Sequence, residues 1–299
     1  MVHRLLECSL VGVTTGAADR CSAFARGQSL DPVGTAGGYD GLVLAEWPLP
    51  WPQRVTEIAE LATLLARVEE AAGPAGRGRL QTLVPAGDGG RGVVTYQRPG
   101  GPFAGYRLLE ATVAEGGPAR CVLICTHGAR DRCCGSMGTA LFQRFAELEP
   151  DVRLWRTSHT SGHRFAPTAL VLPEGTAWAY LEPETLAGIV HRDVPVELAR
   201  AHYRGCFGLD APEVQAVDRE ALLHHGWGWL DTPRAGEVVT RDGRRTVVRL
   251  EGGGVVHEAE VELTRMVPVP DCGKPIELAR KAQPEWRVVS FSPGSAGPG

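Results

Sequence analysis

The sequence predicts a mixed α/β (α+β) fold, with two similar units in series and a small β-rich tail. Three observations predict it. Short runs of aliphatic and β-branched residues alternate with single amphipathic stretches. The order strand, helix, strand, strand, strand occurs twice between residues 41 and 181. Near the C-terminus, Asp242-Gly243 stands between two β-branched runs, which is a strong hairpin signal.

The first forty residues are rich in Gly, Ala, Ser and Thr and read as an irregular arm with one short helix near Ala23. GLVLAEW (41–47) has the pattern of a buried strand. PLPWPQ then forces a non-helical loop, because its three prolines fix φ and remove donors. Val55 to Ala72 reads as a helix whose Val55, Ile58, Leu61, Leu64, Leu65 and Val68 form one apolar stripe, ended by Gly73-Pro74. Strands follow over 80–86, 92–98 and 106–114, separated by a Gly/Asp turn and a PGGP turn. The second unit repeats most of this: a strand over 120–126, a Cys-containing loop, a helix over 139–149, a strand over 152–156, a His-containing loop, strands over 168–173 and 176–181, and a helix over 183–190. A crossover helix between the first two strands followed by a hairpin is the thioredoxin-fold plan. The first unit reads as a degenerate copy, with PLPWPQ where the second has its Cys loop. Helices are expected over 194–205 and 217–230, then the hairpin, a third tail strand in VVHEAEVELTRMV, and a disordered end over 292–299. The expected domains are 1–115, 116–212 and 213–299.

With 299 residues, 43% hydrophobic and 22% charged, the composition is that of a globular protein. A net charge of -4 provides no basic field for nucleic acid or an anionic membrane. No window approaches the roughly 20 apolar residues of a membrane span, and the N-terminus lacks a basic region followed by an apolar run. A cytoplasmic protein is expected, in which eight cysteines are free thiols or ligands rather than a disulfide framework. The glycines of GGPFAG and EGGGVV make neither a dinucleotide fingerprint nor a P-loop.

Chemistry concentrates between Cys121 and Pro173. Cys125, Cys134, His159 and His163 are spaced C-x8-C-x24-H-x3-H. Thiolates with neutral imidazoles suit zinc or an iron–sulfur cluster, whereas magnesium and calcium take oxygen ligands, and Asp131 is the one carboxylate in these loops. The interval between the pairs is about twice that of a zinc finger, so they belong to two loops of a larger fold. From the residues alone, a structural zinc site and an iron–sulfur site both remain open. A thiol–disulfide oxidoreductase is a further alternative, weakened because no C-x-x-C pair is present.

At CTHGARDRCC, HTSGHRF and ALVLPEG the chain resembles the sucrase/ferredoxin-like family, a branch of the thioredoxin-like [2Fe-2S] ferredoxins. The resemblance implies one [2Fe-2S] cluster held by Cys125, Cys134, His159 and His163. Adjacent Cys133 is the competing thiol, and the family spacing selects Cys134. The resemblance also implies electron transfer with an unidentified reductase as donor and an unidentified acceptor; no carboxylate pair supports glycoside hydrolysis. Replacing two thiolates by neutral imidazoles makes the cluster less negative, so its potential should rise from about -400 mV toward the Rieske range of about -150 to +300 mV. Loss of an imidazole proton on oxidation should make that potential pH-dependent.

The surrounding residues carry alternative readings. His127 is either a hydrogen-bond partner behind the ligands or an exposed loop residue. Arg130, Arg132 and Arg164 read as a solvated rim, and Pro167 occupies a place where thioredoxin folds often have a cis proline. Cys8, Cys21, Cys121, Cys133, Cys206 and Cys272 read as packed or idle thiols. His224-His225 reads as a charge complement at a helix end, Trp227 and Trp229 as packing residues, and Trp155 as a packing residue or a shield for the site.

Overall fold

The computed structural model describes residues 20–74, 76–85, 92–97, 107–111, 120–279 and 281–294. The arm over 1–19 with Cys8, the Gly/Asp and PGGP turns, parts of the three expected strands of the first unit, and residues 295–299 lie outside the described residues.

Helix α1 (Cys21–Gly27) precedes the first unit, which consists of β1 (Gly41–Glu46), α2 (Ala59–Ala71), β2 (Gly78–Leu83), β3 (Val93–Gln97) and β4 (Arg107–Ala111). The second unit has β5 (Cys121–Cys125), α3 (Thr139–Leu148), β6 (Arg153–Thr157), β7 (Ala169–Leu172), β8 (Thr176–Trp178) and α4 (Pro183–His191). Strand β1 pairs in parallel with β2 and antiparallel with β3. Strand β5 repeats this with β6 and β7, and β3–β4 and β7–β8 each add an antiparallel strand. The two units therefore share one strand order, and they join at a single antiparallel bridge, Leu83 to Thr157, between β2 and β6. The result, with β9 (Tyr203–Cys206) at one edge, is one nine-stranded mixed sheet, β4-β3-β1-β2-β6-β5-β7-β8-β9.

Every residue of β5 and β7 is buried, as expected of central strands covered on both faces. In the first unit Leu61 and Val68 of α2 pack with Val43, Ala45 and Leu80, and Ile58, Leu64 and Leu65 border them. This is the stripe read from the sequence, although the helix proper starts only at Ala59, after a 3-10 turn at Val55–Glu57.

Two expectations need correction. The helix expected over 194–205 is a 3-10 turn and the four-residue α5 (Ala199–His202), after which the chain enters β9 (Tyr203–Cys206). Pairing with β8 overrides local preference there. The next helix, α6 (Pro212–His225), begins earlier than expected, with Pro212 in its first turn, and stops at Gly226.

The tail forms a second, antiparallel sheet from β10 (Arg234–Asp242), β11 (Arg245–Gly252), β12 (Val255–Val269) and β13 (Lys281–Ser292). The Asp242-Gly243 hairpin is present, with Gly243 at φ +57. Strand β11 alternates buried and exposed. Its Val248 and Leu250 join Val214, Val217 and Leu222 of α6 in the main core. A fully buried ion pair, Arg234 Nε to Asp218 Oδ1 at 2.7 Å, ties α6 to β10, and Trp229 and Tyr203 donate to the same carboxylate. Trp229 is thus a packing residue, and Trp227 lies against Trp178 with 6.0 Å between ring centroids. Among the described residues no helix is long and apolar enough to cross a membrane.

Candidate metal centre

The Cys loop starts where β5 delivers Cys125 to the end of the sheet. Asp131 then caps the helical run that leads into α3. Its Oδ1 accepts the N–H groups of Cys133 at 2.8 Å and Cys134 at 3.4 Å, which satisfies donors that a helix start leaves free. A π-turn at Cys134–Gly138 widens the helix there, a distortion often found at functional sites. Gly138 has no alternative: a Cβ at that position would lie 1.8 Å from the Cys125 carbonyl oxygen.

The His loop follows β6 and is held from the first unit. Ser158 Oγ accepts the Thr82 N–H at 3.0 Å, and Arg79 donates to the His159 carbonyl. The His159 N–H donates to His127 Nδ1 at 3.3 Å, which places the His127 proton on Nε2, donated to the Pro52 carbonyl at 2.9 Å. His127, edge-on to Trp51 at 5.5 Å, is therefore buried behind the His loop and not an exposed loop residue. The PLPWPQ loop, at the topological position of the Cys loop in the first unit, has become a wall of this site. Pro167, after the His loop, is cis.

Three of the four residues read from the sequence converge. Donor atoms of Cys125, Cys134 and His159 all lie within 4.8 Å of one another, with Cys134 Sγ 3.9 Å from His159 Nδ1. His163 lies beside this group, its ring centroid 5.8 Å from that of His159. Its Nδ1 faces Asp131 Oδ2 at 3.0 Å and Cys21 Sγ at 3.1 Å. Both thiols are buried, and both imidazoles are partly exposed. The Cys134 thiol pulls the Cys125 pKa well below its ordinary value against the effect of burial, His159 helps, and Cys134 is raised in return. Burial lowers His159 and favours the neutral imidazole a metal requires.

Residues 94–205 match the sucrase/ferredoxin-like family model. This stretch is similar to a sucrase/ferredoxin-like domain. Over 94 residues the chain is 32% identical to "Altered inheritance of mitochondria protein 32" of the yeast Meyerozyma guilliermondii, a match covering 28% of this chain and 33% of that protein. The chain thus spans about a third of the length of this curated relative. No solved structure matches the chain.

Around the sucrase/ferredoxin-like site the structure adds residues that the sequence reading passed over. Arg204, in unforeseen β9, is fully buried within electrostatic reach of Cys125 and Cys134. It donates to Thr35 through Nε at 3.0 Å and NH2 at 2.7 Å, while NH1 has no hydrogen-bond partner. Gly162, at φ +64, leaves it room, since a Cβ there would lie 2.5 Å from NH2. Arg130 and Arg132 are exposed, as the rim reading expects. Arg164 is half-buried and donates to Gln283 of β13 at 2.7 Å.

Cys21, Cys133 and Cys272 are packed against one another, as the packed-thiol reading expects. Their sulfurs meet beside Asp131, at 3.8 Å for Cys21–Cys133, 3.1 Å for Cys133–Cys272 and 3.3 Å for Cys272–Cys21. Neighbouring Cys133 and Cys134 thus serve opposite groups. Separations of 112 to 251 residues hid this from any local motif. Cys121 and Cys206 are core residues, as expected.

Proposed function

We propose that the sucrase/ferredoxin-like domain is a one-electron carrier holding one [2Fe-2S] cluster through Cys125, Cys134, His159 and His163. The observation that carries this reading is the convergence of two buried thiols and an imidazole within 4.8 Å, with the second imidazole alongside. The donor set fits the group: two sulfurs and two nitrogens, with a buried guanidinium whose NH1 has no partner nearby. With its Nδ1 given to Asp131, His163 has Nε2 left to ligate, and a carboxylate that holds the far nitrogen of a metal-bound histidine is the usual supporting partner.

The cluster, when bound, supplies reversible one-electron chemistry at a potential above that of all-thiolate centres. The chain's residues set the terms. Buried Cys125 and Cys134 keep water from the sulfur side, and the partly exposed imidazoles form the route by which electrons enter and leave. The charge on Arg204 favours the more negative, reduced state. His163 faces the Asp131 carboxylate through Nδ1 at 3.0 Å, and imidazole N–H groups among the ligands would couple electron transfer to the proton, so that the potential depends on pH. A reductase supplies the electrons and a separate acceptor takes them. Among the described residues Cys21, Cys125, Cys133, Cys134 and Cys272 form no disulfide, which suits a reducing compartment such as the cytoplasm.

The test is anaerobic purification followed by visible spectroscopy, EPR of the dithionite-reduced protein, and assays of iron, sulfide and zinc. Two irons and two sulfides per chain with a Rieske-shifted signal support the proposal. The close approach of the three donors also suits a single zinc ion, and a colourless protein with zinc and no sulfide at this site would make the domain a structural module instead.

A further inference from the structure

We propose that Cys21, Cys133 and Cys272 form a second metal site, separate from the first, which binds one zinc-type ion with the Asp131 carboxylate as fourth donor. The argument rests on geometry. Around a tetrahedral zinc with Zn–S of about 2.3 Å, neighbouring sulfurs sit about 3.8 Å apart. The three sulfurs stand 3.1, 3.3 and 3.8 Å apart. Asp131 Oδ1 lies 3.5 Å from Cys272 Sγ and 4.0 Å from Cys21 Sγ. All four donor atoms fall within 4.8 Å of one another, so one ion can reach every one of them. Three thiolates and a carboxylate favour zinc over magnesium or calcium.

The site also has supporting donors of the kind that hold thiolates in place. The Ser22 hydroxyl donates to Cys133 Sγ at 3.2 Å, and the Cys21 N–H approaches Cys272 Sγ at 3.5 Å. Cys21 and Cys133 are fully buried, and Cys272 is half-buried, which leaves one side open for entry. Binding forms three metal–sulfur bonds and releases the thiol protons to water, and no electron moves. The ion would fasten α1, the Cys loop and the link between β12 and β13 to one point. That link lies outside the sucrase/ferredoxin-like segment.

The experiment is a metal assay on the full chain purified anaerobically, as wild type, Cys272→Ser and Cys134→Ala. Cys272→Ser should lose one zinc equivalent per chain with iron and sulfide unchanged, and Cys134→Ala should lose iron and sulfide but keep that zinc. Failure of the cluster reading would appear separately, as absent iron and sulfide with the Cys272-dependent zinc still present. Cys134→Ala reconstituted with cobalt provides a second measure that does not depend on the folding of Cys272→Ser. The expected spectrum has thiolate charge-transfer bands and the visible bands of tetrahedral cobalt, both lost on thiol alkylation. Zinc content indifferent to Cys272→Ser, a cobalt spectrum without thiolate bands, or an intact mass showing a disulfide among the three cysteines would each overturn the proposal.

Discussion

Gly138→Ala tests how the Cys loop is built. A Cβ at 138 would stand 1.8 Å from the Cys125 carbonyl oxygen and 3.0 Å from its carbon. Contacts below 3.0 Å essentially do not occur, so Cys125 or the π-turn must move by at least about 1.2 Å. Metal ligands tolerate about 0.5 Å, so Cys125 should leave the group it forms with Cys134 and His159. Overpacking of this kind costs about 1–3 kcal/mol, which lowers Tm by several degrees in a protein of this size. Gly228→Ala is the control, since a Cβ there meets nothing within 4 Å. The assay is iron and sulfide per chain together with a thermal melt. If Gly138→Ala kept full iron and an unchanged Tm, the reasoning about this contact would be refuted.

Further predictions concern the residues around the site. Arg204→Leu should lower the midpoint potential, because a buried positive charge near Cys125 and Cys134 is removed; potentiometry showing a rise would contradict the electrostatic reading. Asp131→Asn should keep the helix cap but weaken the contact that orients the His163 ring, read as less iron and sulfide per chain. His127→Ala leaves the His159 N–H without its partner and should cost about 1–3 kcal/mol, read as a lower Tm and faster loss of colour in air. Buried His257 is depressed by burial and by His225, whose Nε2 lies 3.0 Å from its own. The unfolded chain therefore binds more protons there below pH 6.5, and stability should be full above that value and fall as pH drops. His257→Gln should flatten that slope in thermal melts.

What could be read from the sequence depended on whether the signal was local. The stripe on α2, the Asp242-Gly243 hairpin and the repeated strand order are near-neighbour patterns, and the structure carries each of them. The four candidate ligands lie in two short loops, so their spacing exposed them as candidates, and the structure brings Cys125, Cys134 and His159 together. Strand β9 was missed because its four residues include an arginine and a glycine and follow a helix-favouring run, so that only pairing with β8 defines it, and Arg204 was missed with it. Cys21 and Cys272 looked idle because their partners are more than a hundred residues away. The dual role of Asp131, capping the helix through Oδ1 and facing His163 through Oδ2, depends on a backbone turn that no spacing rule describes.

The meeting of residues 21, 133 and 272 sets an order of events during synthesis. A chain made from its N-terminus has Cys125 through His163 in hand when little more than half of it exists, but the three-sulfur group must wait for the strands that carry Cys272. Until then Cys133 has no Cys272 beside it and stands next to Cys134, free to compete for the same incoming metal. On the two-site proposal, closure of the tail sheet would be the step that sorts the two adjacent thiols into their separate groups, and a chain truncated before Cys272 should load its metals less selectively than the complete one.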